Sequence, residues 1–378
     1  MSSLPKPPGN IKLISYADDC QVLHSGPTIE ETCHAMTPYL DQLAEWFKGR
    51  GLELSQPKST ATVFTTFSGE AGKALPITIQ GEVVPTIKHP KVLGVTFDNM
   101  HKFGPHVANI RDKVAKRNSV LKCLAGTTWG KSKEILLNTY KAIGRSVLNY
   151  AAPVWSPFLS STNWDLLNTT QNVALRAITG CTKMSAITHL NQETGILPVR
   201  EHNIMLTEQF LLSMHRQEHP NNHLLTAPTQ PRKMRPTIID HLPGLEECLR
   251  DEDPAIWNYK QRLKQLHDGA HKKCNEGYPP NKILGSTPPP LNNWAERSLS
   301  RSTRRTLAQL RSGYSPLLAS YRARIEDGVS PLCVDCGQED QTTDHLFKCQ
   351  ARPTDLMITD LWAKPDEVAA FLGLTEEE

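Results

Sequence analysis

The sequence contains no run of apolar residues long enough to span a membrane, so we expect no membrane partner. Residues 1–9 also lack the apolar core of a signal peptide, and secretion is not implied. The chain has little net charge, +3 over 378 residues, so a nucleic-acid partner has to be argued from local charge. With 38% hydrophobic and 21% charged residues, the composition is that of a globular protein with two or three domains.

Disulfide chemistry is also poorly supported, because the nine cysteines are odd in number and scattered except for one cluster. This usage predicts a reducing intracellular compartment, the cytoplasm or nucleus, with a metal site at the cluster. The cluster is Cys333-x2-Cys336-x8-His345-x3-Cys349, and Gly337 follows where a tight turn is needed. Three thiolates and one imidazole suit tetrahedral Zn²⁺, and four protein ligands predict a structural site. The alternative is a chance cluster of free thiols.

The stretch Tyr16-Ala17-Asp18-Asp19 is flanked by apolar, β-branched and aromatic residues at 12–16 and 20–24. These flanks predict two strands joined by a very short turn, with both carboxylates at the tip of the hairpin. Adjacent carboxylates raise each other's pKa, so a divalent cation between them and a phosphorylated ligand would relieve the repulsion. Asp is also a common turn residue without any further role, and this alternative stays open.

The remainder of residues 1–98 predicts one amphipathic helix and several short strands. Thr28 is a candidate N-cap, and apolar residues recur at helical spacing up to Phe47. Pro38 interrupts this pattern, which predicts a kink or two helices with Thr37 capping the second. Strands are expected at 52–54, 61–65, 77–79, 82–84 and 91–97, continuing one sheet.

Taken together with the segment 54–59 and the strand Leu93-Gly94-Val95, the Tyr16-Ala17-Asp18-Asp19 hairpin resembles the palm of a reverse transcriptase. The resemblance is to the jockey-like polymerases of non-LTR retrotransposons. It implies an RNA-directed DNA polymerase that joins a primer 3′ hydroxyl to a deoxynucleotide on an RNA template. Ser55 departs from the family, in which asparagine is common at this position.

The resemblance also implies roles for individual residues. Asp18 and Asp19 are expected to hold Mg²⁺ or Mn²⁺, Lys58 to stabilise the departing pyrophosphate, and Tyr16, Leu93 and Gly94 to contact substrate. A strand glycine lets another backbone approach closely, as the primer end requires. The alternative for Lys58 is a solvated surface lysine.

The family's fingers and its remaining catalytic aspartate lie upstream of this hairpin, whereas fifteen residues precede Tyr16 here. We therefore expect the chain to be the back half of a polymerase, inactive without the missing half. The alternative is a non-enzymatic remnant that still binds RNA or DNA. A third hypothesis is a product without any selected role.

Local charge marks two regions beyond residue 98. Ten Lys or Arg lie between Lys102 and Arg145 against two acids, and seven arginines lie between Arg297 and Arg324. Both are expected to bind phosphates along nucleic acid, with solvated helix faces as the alternative. The prolines of 217–295 predict a mobile connector with short helices.

The expected fold class is α+β. It comprises a truncated polymerase palm at 1–98, with antiparallel sheet and helix, and a helical thumb and post-thumb region at 99–216. A Pro-rich connector at 217–295 and a zinc-knuckle tail at 296–378 with arginine-rich helices would complete the chain.

Overall fold

The computed structural model describes residues 4–65, 67–126, 129–216, 218–225, 242–249, 258–285, 287, 289–290 and 294–374. The chain divides into two compact units, Met1–Ala108 and Asn109–Glu378. Helices and small antiparallel sheets are both present, which is compatible with the α+β class. In the described part of the chain, no helix has the length and apolar character needed to cross a membrane.

The strands are β1 (Lys12–Tyr16), β2 (Asp19–Leu23), β3 (Thr78–Ile79), β4 (Glu82–Val83), β5 (Lys91–Val92) and β6 (Val95–Thr96). The helices are α1 (Ile29–Lys48), α2 (Gly104–Leu124), α3 (Lys133–Tyr140), α4 (Ser146–Asn149), α5 (Ala152–Trp155), α6 (Ser161–Thr179), α7 (Ile187–Thr194), α8 (Val199–Met214), α9 (Pro243–Leu249), α10 (Tyr259–Glu276), α11 (Trp294–Ser298), α12 (Arg301–Ser312), α13 (Ala319–Arg322), α14 (Thr343–Leu346), α15 (Asp360–Ala363) and α16 (Pro365–Phe371).

The first unit is built around α1. Thr28 caps this helix, because its hydroxyl accepts a hydrogen bond from the Glu31 N–H at 3.2 Å, as predicted. The apolar side of α1 contributes to two buried clusters. One comprises Cys33, Leu40, Ala44, Leu75, Ile77, Ile79 and Val84, and the other comprises Ile11, Tyr39 and Leu43. The helix therefore carries the core that supports β1 and β3.

Two sequence expectations about this unit need correction. α1 continues through Pro38 as one helix, so the alternative of two helices is wrong, and the Thr37 hydroxyl donates to the Cys33 carbonyl instead of capping a second helix. The strands also form three separate two-stranded sheets, not one continued sheet. Residues 52–54 are irregular and only Ala61 of 61–65 forms a bridge, to Thr86. Local propensity predicted strands at positions for which the described residues offer no partner strand.

The second unit is mainly helical, and two of its buried clusters bear on the sequence predictions. The connector cluster joins α8, α9 and α10 through Leu212, Leu242, Leu245, Cys248 and Leu266. α10 spans 18 residues, so the expectation of only short helices in the connector is wrong there. The predicted connector prolines Pro228, Pro231, Pro236 and Pro288 lie outside the described residues.

The tail cluster lies around α12. It comprises Leu284, Leu307, Leu310, Leu318, Tyr321, Leu346, Phe347, Leu361, Trp362, Val368 and Leu372. Because Leu346 and Phe347 come from the predicted zinc segment, that segment packs on the same core as α12, α15 and α16. This packing positions the metal-ligand candidates described below.

Candidate functional site

The predicted hairpin is present. β1 pairs with β2 in antiparallel register, with Tyr16 opposite Asp19, and Ala17 and Asp18 form the connection. Ala17 has a positive φ of 51°, which the tight turn requires and which L-residues seldom adopt. Asp18 and Asp19 are both exposed at the tip of the hairpin. The carboxylates are accessible to a cation and to a ligand in solution.

One face of the hairpin carries three exposed apolar side chains beside polar ones. Ile14 and Tyr16 alternate along β1, and their exposed fractions are 48% and 65%. Leu23 on β2 lies opposite Lys12 and is 42% exposed. Among the described residues, no third His, Cys, Asp or Glu joins Asp18 and Asp19 in a group with ligand atoms within 4.8 Å. The described part of the chain thus supplies two carboxylates here.

Lys58 and Gly94 occupy turns in the first unit. Lys58 is exposed at the end of a 3-10 turn, Gln56–Lys58, and its N–H donates to the Ser55 carbonyl at 3.0 Å. Leu93 and Gly94 form the connection between β5 and β6, with φ of 44° and 86°. Gly94 therefore lies in a hairpin turn, and the expectation of a strand glycine is wrong.

Turn geometry alone accounts for these positive φ values. Gln80 and Gly81, with φ of 51° and 81°, make the same kind of connection between β3 and β4, where no functional role was predicted. Two-residue hairpin turns favour such backbone angles because they match the twist of the strands. Backbone strain at Ala17 and Leu93 is accordingly no evidence for function by itself.

The four predicted zinc ligands do come together. The Sγ, Nε2 or Nδ1 atoms of Cys333, Cys336, His345 and Cys349 all lie within 4.8 Å of one another. The Cys333 and Cys349 sulfurs are 3.9 Å apart, and the Cys336 sulfur is 3.4 Å from His345 Nε2. Tetrahedral Zn²⁺ with ordinary bond lengths gives ligand separations of about 3.8 Å for two sulfurs and about 3.5 Å for sulfur and nitrogen. The geometry fits zinc, and it excludes a disulfide, whose sulfurs lie about 2 Å apart.

Short-range backbone structure builds this centre. Leu332 bridges to Asp340, the Cys333 N–H donates to the Glu339 carbonyl at 2.7 Å, and Gly337 turns the chain with φ of 67°. This confirms the tight turn predicted at Gly337. The following helix, α14, is a single turn that presents His345. Thr342 caps its N-terminus, because the Thr342 hydroxyl accepts a hydrogen bond from the His345 N–H.

Hydrogen bonds favour the metal-binding form of Cys336 and orient the ring of His345. The backbone N–H groups of Gln338 and Glu339 lower the pKa of Cys336 to about 6, which favours the thiolate. His345 Nδ1 lies 3.1 Å from a Glu339 carboxylate oxygen, so Nδ1 carries the proton and Nε2 remains available for a metal. The centre has both a ligand set and the outer partners that orient it.

The seven arginines between Arg297 and Arg324 differ in exposure, and two of them are buried. Arg311 is completely buried, and its guanidinium contacts Glu193 and Glu296 at 3.0 Å each and lies 3.8 Å above the Trp362 ring. Arg304 is also buried and bonds Glu134. Of the seven predicted arginines, only Arg297 and Arg324 are exposed. Acids distant in the chain hold Arg304 and Arg311 inside, whereas Arg301, Arg305 and Arg322 are half-buried. Phosphate binding by this region stays a prediction.

In the other basic region, Lys102 to Arg145, some basic side chains are buried and others are exposed. Lys133 is largely buried against Glu193 at 2.7 Å, and Arg145 is buried and bonds Gln171. On α2, four basic side chains are exposed to solvent: Arg111, Lys113, Lys116 and Lys122. A positive surface on α2 therefore remains for phosphate contacts. Sequence reasoning missed the Glu193 network, because its members are far apart in the chain.

Comparison with known proteins finds retrotransposon polymerases. Over 194 residues, 51% of this chain, the sequence is 26% identical to the probable RNA-directed DNA polymerase from transposon BS of Drosophila melanogaster. It is 27% identical over 172 residues, 46% of this chain, to the RNA-directed DNA polymerase from mobile element jockey of Drosophila funebris. It is 22% identical over 148 residues, 38% of this chain, to a retrovirus-related Pol polyprotein from type-1 retrotransposable element R1 2 of Nasonia vitripennis.

The matched parts are short relative to those proteins. They cover 21% of the BS polymerase, 18% of the jockey polymerase and 36% of the R1 polyprotein. No family model matches the sequence, and no solved structure matches it.

Proposed function

We propose that this chain, a homologue over about half its length of the RNA-directed DNA polymerases of jockey-, BS- and R1-type non-LTR retrotransposons, carries part of a reverse transcriptase active site. The observation that carries the proposal is the exposed hairpin with Asp18 and Asp19 at its tip. Residues 1–98 would be the part of the palm that follows the first catalytic strand, and the helices after it would be the thumb.

The residues of the first unit would act as follows. Asp18 and Asp19 would hold Mg²⁺ or Mn²⁺, since carboxylate oxygens are the ligands these ions prefer. When bound, the ions would activate the primer 3′ hydroxyl and neutralise charge on the transferred phosphoryl group. Lys58 would place a cation near the departing pyrophosphate, and the Leu93-Gly94 turn would contact the primer end beside Tyr16.

The proposed site is incomplete within the described chain. Two-metal catalysis requires carboxylates from more than one strand, and no third candidate ligand joins Asp18 and Asp19 among the described residues. The face of the hairpin that bears Ile14 and Tyr16 is open, whereas Leu13 and Val22 on the other face pack against α1. We propose that a further polypeptide segment covers this face and supplies the missing carboxylate.

Primer extension tests this proposal. Residues 1–378 alone should extend a primer on an RNA template no faster than a no-enzyme blank. Addition of the fingers and first palm strand of a related polymerase, in cis or in trans, should produce extension that an Asp18→Asn change abolishes. Asp165→Asn removes another exposed carboxylate, from α6, and is the matched control. If the chain alone extended the primer and Asp18→Asn abolished that extension, the proposal that the active site is incomplete would be wrong.

We further propose that Cys333, Cys336, His345 and Cys349 hold one structural zinc ion. The support is the match of two measured ligand separations to a tetrahedral site. Mass spectrometry of the full chain under non-denaturing conditions should find one zinc, and Cys336→Ser should lose it. Cys274→Ser, a half-buried thiol outside the group, is the control. Zinc retained equally by Cys336→Ser would disprove the assignment.

A second candidate function, nucleic-acid binding without catalysis, is favoured by the exposed basic residues of α2. Phosphate contacts release counterions, so affinity for RNA or DNA should fall steeply with salt and depend little on sequence. Changing Lys113 and Lys116 together to Gln should lower the slope of log affinity against log salt by about 1.5. An unchanged slope would remove α2 from the interface.

A further inference from the structure

An open pocket of about 200 Å³ lies where the C-terminal end of α6 meets the beginning of α12. Three half-buried arginines, Arg176, Arg301 and Arg305, line it together with small residues. No described carboxylate is part of its wall, and none of the three arginines forms an ion pair within the described chain. Arg304 and Arg311 on α12 are different, because acids neutralise their charges.

The three guanidinium groups are held in place by the protein. Arg301 donates to four backbone carbonyls, those of Gly126, Lys131, Ala177 and Ile178, at 2.9 to 3.4 Å. Two of these carbonyls end α6, where the helix dipole favours a cation. Arg301 is therefore fixed at the wall of the pocket with one of its five N–H donors left over.

Arg305 reaches the pocket because residue 180 is glycine. Gly180 ends α6 with φ of 72°, and a Cβ at this position would lie 2.3 Å from Arg305 Cγ. Within the described chain, Arg305 bonds only through Nε, to the Gly180 carbonyl at 3.4 Å. Its two terminal nitrogens keep their donors. The glycine at position 180 thus has a physical reason, the close approach of Arg305 from α12.

Arg176 also has spare donors. Its Nε is buried without a hydrogen-bond partner in the described structure, and one terminal nitrogen makes a long contact of 3.5 Å to the Ser185 carbonyl. Burial, together with the charges of Arg305 and Arg304, lowers the pKa of Arg301. Like charges in a half-buried pocket repel one another, and a bound anion would remove both the repulsion and the unsatisfied donors.

The shape and size of the pocket restrict the anion. Guanidinium groups present planar pairs of donors that match the oxygens of a phosphate. A volume of about 200 Å³ holds several waters at about 30 Å³ each, which is enough for a phosphate group. It is smaller than the roughly 300 to 1,000 Å³ of sites that enclose whole drug-sized ligands. We propose that Arg176, Arg301 and Arg305 form a phosphate-binding pocket.

A neighbouring aromatic residue indicates what carries the phosphate. Trp129 is 67% exposed, and its ring lies 2.7 Å from the position that a Cβ of Gly126, a residue of the pocket wall, would occupy. An exposed indole beside a cationic pocket suits a base stacked next to a backbone phosphate. The ligand is then a single-stranded nucleic acid, and this identification rests on the proposed function above.

Titration of the full chain with inorganic phosphate at constant ionic strength tests the pocket itself. The double variant Arg176→Gln/Arg305→Gln should bind phosphate at least about tenfold more weakly, since it loses charge-assisted hydrogen bonds. Arg324→Gln, an exposed arginine outside the pocket, should bind like the unchanged chain. Equal affinity in the double variant, or no phosphate binding by the unchanged chain, would overturn the pocket.

A second measurement covers the case in which the double variant folds poorly. Phenylglyoxal modifies accessible arginines, and mass spectrometry of the unchanged chain locates them. Inorganic phosphate should protect Arg176 and Arg305 and leave Arg324 reactive. Protection that is equal at all three positions would count against the pocket.

An oligonucleotide distinguishes the two sources of the phosphate. A single-stranded oligonucleotide should bind at least about threefold more weakly to the double variant and to Trp129→Leu, whereas Trp129→Leu should bind inorganic phosphate normally. Oligonucleotide affinity that the double variant leaves unchanged would assign the pocket to free phosphate and overturn its nucleic-acid role. No oligonucleotide binding by the unchanged chain, with phosphate binding intact, would instead reject the proposed function.

Discussion

The charged residues of the hairpin site in the first unit and those of the Glu193 network in the second unit differ in exposure. In Met1–Ala108, the charged side chains predicted to act on substrate, Asp18, Asp19 and Lys58, are exposed at turns. In Asn109–Glu378, Glu193 and Arg311 have completely buried side chains, and Lys133 and Glu296 join them. The same residue types therefore serve as accessible groups in one unit and as internal supports in the other. Exposure and partners distinguish these two roles, and residue type does not.

The internal network also explains why the number of arginines in the tail does not give its exposed charge. Arg311 lies on α12 four residues after Leu307, on the apolar side of the helix, and its partners Glu193 and Glu296 are 118 and 15 positions away. Its guanidinium donates in addition to the Leu361 carbonyl at 2.7 and 3.0 Å. A buried charge with this many partners is compatible with the core, and no local pattern reveals the partners.

Arg311→Met should produce the largest loss of stability. The change leaves Glu193 and Glu296 buried without this cation, which costs about 3 to 5 kcal/mol in comparable buried networks. Arg324→Met removes an exposed arginine and should change the free energy of unfolding by less than about 0.5 kcal/mol. Urea denaturation of the full chain measures both variants. A difference below about 1 kcal/mol between them would show that the network contributes little.

Zinc removal should affect the second unit alone. A ligand at about 100 times its dissociation constant stabilises the folded state by about 2.7 kcal/mol, so a chelator should lower stability by about this amount. Leu346 and Phe347 should lose protection from hydrogen exchange, since both belong to the tail cluster. The amides of α1 in the first unit should exchange as before. Unchanged exchange around α14 after chelation would contradict a structural role for the metal.

The four zinc ligands should contribute unequally to zinc affinity. His345→Ala should weaken zinc binding less than Cys336→Ala if the thiolates dominate. Zinc affinity should fall as pH decreases below neutrality, because the thiolates must lose their protons to bind. Competition with a coloured chelator measures both effects. A larger loss in His345→Ala would reverse the order of the ligands.

His202 should make the stability of the second unit depend on pH. Burial, with the charges of Arg145, His267 and His271, lowers the pKa of His202 to about 3. Its folded pKa lies below its ordinary value near 6.5, so the unfolded chain binds the proton first as pH falls. Its contribution is present above about pH 6.5 and is lost at about 1.4 kcal/mol per pH unit below it.

The expected loss between pH 6.5 and pH 5 is about 2 kcal/mol, and His202→Gln should remove it. His34→Gln changes an exposed histidine of the first unit and is the control. Urea denaturation at each pH measures the slopes. A slope that stays the same in His202→Gln would assign the pH dependence to other groups.

What the sequence predicted correctly was local. The hairpin at Tyr16 and Asp19, the Thr28 cap and the ligand spacing from Cys333 to Cys349 all involve residues within about one turn, hairpin or knuckle. What it missed needed distant partners, such as the pairing of Glu193 with Arg311 or the meeting of Arg176 with Arg305 at one pocket. Strands at 52–54 and 61–65 failed for the same reason, since a strand is specified by its neighbour as much as by its own residues.

Asp18→Asn should have the smallest effect on folding. Asp18 is exposed, and the change removes one of two adjacent negative charges, so the free energy of unfolding should shift by less than about 0.5 kcal/mol in either direction. Comparing the free energies of unfolding of Asp18→Asn and Arg311→Met contrasts the loss of an exposed charge with the loss of a buried one. A loss above about 1 kcal/mol would mean that Asp18 supports the turn, as aspartate often does by bonding its own backbone. The loss of primer extension in Asp18→Asn would then report on folding, and the assignment of Asp18 to metal binding would need a variant that keeps the turn intact.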